Sequence, residues 1–253
     1  MERLIHIYMK YALLIGTLLY SFGSIGQVNN PEFTKLAAKY AGGKYEAVLE
    51  GAESLMDNDK HRKKAEPYLW AAMSLLQLSR SEDEKIMVRH KYALKYALKH
   101  AGKAANKDKE GDLVSSHQSF FDELKAEGVA LALSYRAEDD ARKEGYTLKQ
   151  ILEFAPDDSN IRFAKAVANI KLNNYGEAER EINVSLPELT EKFKDLNHQP
   201  DPISSPLLKD AVVSYIDHLT ENMYTDSARS AVFSARLFFP LDEGINERYQ
   251  KLK

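Results

Sequence analysis

The sequence contains no cysteine. That excludes a disulfide framework, a thiolate metal site, a thiol nucleophile and a lipid-modified cysteine. It also lacks the apolar/polar alternation of half-buried strands. Almost every segment instead repeats its apolar residues at three and four, with Gly, Pro, Asn and Asp between. No sign of charge dominates, since 35 Lys and Arg stand against 38 Asp and Glu, for a formal net charge of -3. A chain so balanced is neither a disordered acidic tail nor a basic nucleic-acid binder. Catalytic signatures are missing too. There is no HExxH, no phosphate-binding glycine loop and no nucleophile elbow, and the seven histidines form no pair at metal-ligand spacing with a helping carboxylate. These absences predict a non-catalytic chain that needs neither cofactor nor metal.

The N-terminus carries the one long apolar run. Met9 and Lys10 precede YALLIGTLLYSF, then GSIG and Gln27, with Ser24 and Gly26 at the two positions that a signal peptidase inspects. This predicts a cleavable leader over residues 1–26, and the fit is cleaner from Met9 than from Met1, because Glu2 is unusual in a basic leader. The alternative is an uncleaved anchor over residues 4–25 in which Lys10 snorkels. Small residues close the run where an anchor normally has basic flanks. Either reading exports the remainder, and a cysteine-free remainder fits the periplasm of a Gram-negative cell.

Periodicity predicts helices over 31–41, 44–56, 65–79, 83–106, 116–135, 138–154, 159–172, 175–186, 187–195, 206–221, 225–239 and 241–251. Ser81 and Glu84 have capping-box spacing, Asp157, Asp158 and Ser159 offer N-cap oxygens after Pro156, and Pro187 suits a first helical turn. Gly42 and Gly43 read as a hairpin turn. NHQPDPISSP, residues 197–206, holds three prolines in a short polar run and reads as a loop.

An internal period of about 34 residues joins these helices. Blocks 125–158 and 159–192 place Leu131, Ala132, Tyr135, Leu148 and Pro156, then Ala166, Tyr175, Ala178 and Ile182, at large, small, aromatic and helix-ending positions. A third block, 209–242, adds Ala228, Ala235 and Pro240. On these residues the chain resembles the tetratricopeptide-repeat family over most of 31–251, with more degenerate repeats toward the N-terminus. The resemblance implies an all-α, right-handed superhelical array of antiparallel helix hairpins. It implies N-terminal degenerate helices over 27–115, a central pair over 116–196, the proline-rich loop over 197–208, and a C-terminal hairpin with a capping helix over 209–253. In that family the first helix of each hairpin lines the concave side, which here implies a partner groove of Val129, Leu133, Arg136, Asn160, Phe163, Val167, Ile170 and Lys171. Such an apolar stripe suits a peptide or amphipathic helix. Ala164 and Val167 stand where a carboxylate clamp would want asparagine. The competing reading is that neighbouring helices, such as the C-terminal 241–251 segment, fill this groove as core.

The stretch KYALKYALKHAGKAANK, residues 91–107, sets a lysine at every fourth position. Each step of four advances only about 40° round a helix, so Lys91, Lys95, Lys99, Lys103 and Lys107 share one face and the alanines another. The plain reading is a solvated face with snorkelling lysines. The functional reading adds Arg89, Tyr92 and Tyr96 and makes the stripe a surface for an anionic partner such as lipid headgroups or an acidic polymer. His90 reads as a hydrogen-bonded core residue. The two expectations for a partner are thus a protein segment in the apolar groove and an anionic surface on the lysine stripe, with no nucleic acid.

Overall fold

The computed structural model of the protein describes residues 31–195 and 197–253, so the expected leader lies outside the described residues. Among those residues there is no strand. The helices are α1 (Pro31–Ala41), α2 (Tyr45–Asp57), α3 (Glu66–Ser79), α4 (Glu84–Arg89), α5 (Ala93–Lys107), α6 (Asp112–Ser116), α7 (Gln118–Ala137), α8 (Ala141–Leu152), α9 (Ser159–Lys171), α10 (Tyr175–Lys194), α11 (Ser205–Glu221), α12 (Thr225–Phe238) and α13 (Glu243–Leu252). The chain is an all-α array of helix hairpins in which each packs on the next. α3 lies between α2 and α5, α5 meets α8 and α7, α9 lies between α8, α10 and α11, and α13 closes the end against α12. No helix among the described residues is long and apolar enough to cross a membrane.

The hairpins are closed by one recurring turn. Gly43, Asp139, Asn173 and Met223 each have φ between 56° and 70°, and each follows a helix that the next residue's helix partner folds back upon. At each, the N–H donates to the carbonyl three residues back, and the following N–H donates to the carbonyl five residues before it: Asp140 to Tyr135 at 2.8 Å, Asn174 to Asn169 at 2.9 Å, Tyr224 to Leu219 at 2.9 Å and Lys44 to Lys39 at 3.0 Å. This is the left-handed stop that satisfies orphan carbonyls at a helix end. Asp139 and Asn173 lie one sequence period apart, so the repeat seen in the residues recurs as backbone geometry.

Small residues set the helix crossings. Ala132, Ala166, Ala178, Ala228 and Ala235 are all buried, as is Leu148. Two helices approach closely only where such side chains meet, and extra methylenes there would cost about 1–3 kcal/mol. Gly128 serves a further close approach, because a Cβ on it would stand 2.9 Å from both Ile151 Cδ1 and Leu98 Cδ2. Tyr175, expected at an aromatic packing position, is instead exposed.

Three helix expectations need correction. The span 83–106 is two helices, broken at His90–Tyr92, and the α4 cap is Asp83, whose carboxylate accepts from the N–H groups of Lys85 and Ile86. Ser81 only accepts from Asp83 N–H, at 3.2 Å. Residues 175–194 are one helix running through Pro187. Proline removes one hydrogen bond and costs roughly 3 kcal/mol. Burial of Ser185 and Leu189 on either side of an exposed Pro187 holds the helix together. A short helix, α6, also forms in the connection after the lysine-rich helix. The expected Asp158 cap is present, accepting from Asn160 and Ile161 N–H.

The expected open groove is core. Phe163 is 1% exposed, Val129, Val167, Ile170 and Asn160 are buried, and Leu133 is half-buried. The covering element is α11, whose Tyr215 ring meets Phe163 edge-on at 5.7 Å; the C-terminal helix packs on α12 instead. Arg136 is committed inside. Its Nε and Nη2 donate to Glu144 Oε1 at 2.9 and 2.5 Å, and its Nη1 donates to the Leu207 carbonyl at 3.1 Å. Asn160 donates to Ser204 Oγ at 2.8 Å, and exposed Lys171 pairs with Asp139 at 2.8 Å. An apolar face covered by the chain's own helix presents nothing to a partner.

Two predictions follow from this packing. Met223 holds a left-handed conformation that costs a side-chain-bearing residue about 1–2 kcal/mol, while its own side chain is 86% exposed. Met223→Gly is therefore expected to stabilise the fold by about 0.5–1 kcal/mol in urea unfolding, after the extra freedom of glycine in the unfolded chain is counted. Glu144→Ala should cost about 3–5 kcal/mol by stranding the Arg136 guanidinium, whereas Arg136→Met with Glu144→Leu should cost much less than the two single changes summed. A double-mutant cycle that came out additive would remove this account.

Candidate functional site

A concave feature with an apolar floor lies between the end of α3, the α4–α5 turn, α7 and α8, with a volume of about 740 Å³. Its shape begins with the break after α4. Glu46 on α2 takes hydrogen bonds from Arg89 Nη1 at 2.7 Å and meets His90 Nε2 at 2.9 Å. These bonds from His90 and Arg89 hold the Glu46 carboxyl below its ordinary range. The chain turns at 90–92 beside this tether, and Lys91 and Tyr92 line the cleft together with residues of α7 and α8. His90 is accordingly a half-buried, hydrogen-bonded residue.

The floor is formed by buried Leu78 and Ala93 and half-buried Leu94 and Leu131. The walls pair cations with rings. Lys95 Nζ stands 5.2 Å from the centre of the Tyr146 ring, Lys143 Nζ 5.3 Å from that of Tyr135, and Lys91 Nζ 4.8 Å from that of Tyr92. Such placements are favourable by roughly 0.5–1 kcal/mol at exposed sites and orient the ammonium groups. Some of the charge is already used. Arg80 is bound by Glu123 and Glu127 at 2.5 Å each, and burial, which disfavours its charge, is outweighed by those two carboxylates. Lys143 pairs with Asp140 at 2.7 Å. Among the described residues, Lys91, Lys95 and Arg142 have no carboxylate within ion-pair distance.

A second concavity, of about 440 Å³, lies under the 197–204 loop, but its charges face one another. Lys125 Nζ reaches Asp201 at 2.8 Å and Asp158 at 3.2 Å. Burial opposes ionisation of Asp201, yet Lys125, Ile203 N–H and the Ser204 hydroxyl hold its carboxyl below the ordinary range. That network ties a loop down. Among the described residues no group of His, Asp or Glu is arranged to hold a metal ion.

The lysine stripe is thus divided. Lys91, Tyr92 and Lys95 enter the cleft, Arg89 is used by Glu46, Tyr96 and Lys99 face outward, and Lys103 and Lys107 lie over Tyr68 at 5.7 and 5.0 Å. Sequence reading missed Arg142, Lys143 and Tyr146 as site residues. The signal available for Tyr146 was its place off the buried Glu144, Leu148 and Ile151 face of α8, where an aromatic gains nothing from the core.

No protein-family model matches the chain, and no characterised protein matches it in sequence. Among solved structures it is similar to the TPR2AB-domain:pHSP90 complex of yeast Sti1, at 17% identity and a TM-score of 0.34, over 86% of this chain and 82% of that one.

Proposed function

We propose that the protein is a non-catalytic interaction scaffold that holds an acidic segment of a partner protein in the cleft between α3, α5, α7 and α8. The observation that carries this is the set of three cations without carboxylate partners, Lys91, Lys95 and Arg142, beside Tyr92, Tyr135 and Tyr146 over an apolar floor. Carboxylates or phosphates of a peptide would meet the cations. Its apolar side chains would cover Leu94 and Leu131, and the tyrosines would supply contact area at low entropic cost. The site differs from the concave stripe that the repeat pattern implied, because that stripe is buried.

The compartment belongs to the same proposal. A leader-like N-terminus and a cysteine-free remainder support a place in the cell envelope, in the periplasm, as an accessory component of a secretion, assembly or surface-organelle machine. Fold class does not specify such a role.

Binding to an array of acidic, neutral and basic peptides, read by fluorescence polarisation, tests the cleft. The expected result is selection of acidic peptides with an apolar residue nearby, weakened tenfold or more by Lys95→Glu with Arg142→Glu, and weakened by added salt. Equal affinity of that variant would refute the cleft. Fractionation of cells producing the full chain is expected to place it in the periplasmic fraction with Gln27 as its first residue; recovery in the cytosol with an intact N-terminus would end the envelope reading.

A further inference from the structure

The far end of α5 builds a second basic surface with a segment distant in sequence. Residues 58–65, between α2 and α3, read NDKHRKKA and carry Lys60, Arg62, Lys63 and Lys64. Tyr68, on the first turn of α3, joins this loop to α5. Its hydroxyl donates to the Arg62 carbonyl at 3.0 Å, and its ring faces the ammonium groups of Lys103 and Lys107. Ring and cation attract, so one tyrosine gathers the lysines of the loop and of the helix into a continuous patch.

Little on that patch is neutralised. Arg62 pairs with Asp59 at 3.1 Å. Among the described residues, Lys60, Lys63, Lys64, Lys103 and Lys107 have no carboxylate within ion-pair distance, and all but half-buried Lys107 are exposed. The local field is positive enough to be felt by a neighbour: burial first, then Lys103 and Lys99, push His100 down to about 4. Because the protein as a whole is negative, adsorption to an anionic surface would have to occur through such a face and in one orientation.

We propose that this patch docks the protein on a bilayer bearing anionic headgroups. Separate, flexible ammonium groups spread over a loop and a helix face suit many phosphates in a plane, whereas a single bound anion calls for convergent donors. The loop is also tied to α1. Lys64 lies over the Phe33 ring at 5.7 Å, and His61 of the same loop meets that ring edge-on at 6.0 Å. The patch therefore adjoins the first turn of α1, which holds the loop in place. The patch shares no residue with the peptide cleft, and the docking does not depend on it.

Flotation of the full chain with phosphatidylcholine vesicles, with and without phosphatidylglycerol, tests the proposal. Each basic residue near an anionic bilayer is worth about fivefold in binding. Lys60→Glu, Lys63→Glu, Lys103→Glu and Lys107→Glu together should therefore weaken binding to the phosphatidylglycerol vesicles by at least about a hundredfold. The same four positions changed to arginine should keep it, as should Lys95→Glu with Arg142→Glu in the cleft. Circular dichroism unchanged in the quadruple glutamate variant would show that the fold survives. Equal flotation with neutral vesicles would assign binding to the apolar run and overturn the patch. So would absence of binding to phosphatidylglycerol vesicles, or full retention by the glutamate variant.

Discussion

A guanidinium and a carboxylate enclosed together decide how the central helices meet. Arg136 and Glu144 have side chains 9% and 1% exposed, and neither could be left there alone without a large desolvation cost. Burial raises the Glu144 carboxyl's pKa even with Arg136 beside it. The pair therefore adds little net stability and acts mainly on geometry. It fixes α7 against α8 across their short turn, and the third Arg136 bond, to the Leu207 carbonyl, fixes the start of α11 on both. The elements it joins also line the basic cleft, in α7 and α8, and cover Phe163, in α11.

The lysine-rich helix shows how a regular pattern can serve irregular ends. Its alanines pack uniformly, but the lysines meet different surroundings as they climb. At the N-terminal end, beside the Glu46 tether, Lys91 lies over Tyr92 and Lys95 over Tyr146 of α8. At the C-terminal end Tyr68 gathers Lys103 and Lys107 toward the 58–65 loop. A four-residue repeat drifts by about 40° per step, so its ends cannot face the same direction. That drift separates Lys95 from Lys103 and Lys107, and the break before α5 sets Lys91 apart.

Much of the architecture was legible because it depends on local chemistry. The alanine spacing, the Asp158 cap, the Gly42–Gly43 turn and the proline-rich loop act over a few residues, and each is found where its residues are. The break at 90–92 was not legible, because Glu46, which holds Arg89 and His90 there, lies more than forty positions away. Pro187 misled for the opposite reason, since its local cost is overridden by packing of Ser185 and Leu189. The concave stripe was the largest miss. Val129, Phe163 and Val167 have the right spacing for a groove lining and for a core, and only the place of α11 distinguishes the two. The lysines were visible as a stripe, but Arg142, Tyr146 and the 58–65 loop joined them only through tertiary contacts.

The loop between α10 and α11 departs from the regular spacing of the hairpins, and Asp201 secures it through Lys125, Ser204 and Ile203. After it, α11 packs on α9 and takes one hydrogen bond from Arg136 of α7. In a repeating chain, an insertion is usually treated as an interruption that leaves the units on either side unchanged. Here its own contacts help place α11, whose Tyr215 meets Phe163, so the inner face that the repeat spacing would leave as a gutter is a sealed interior.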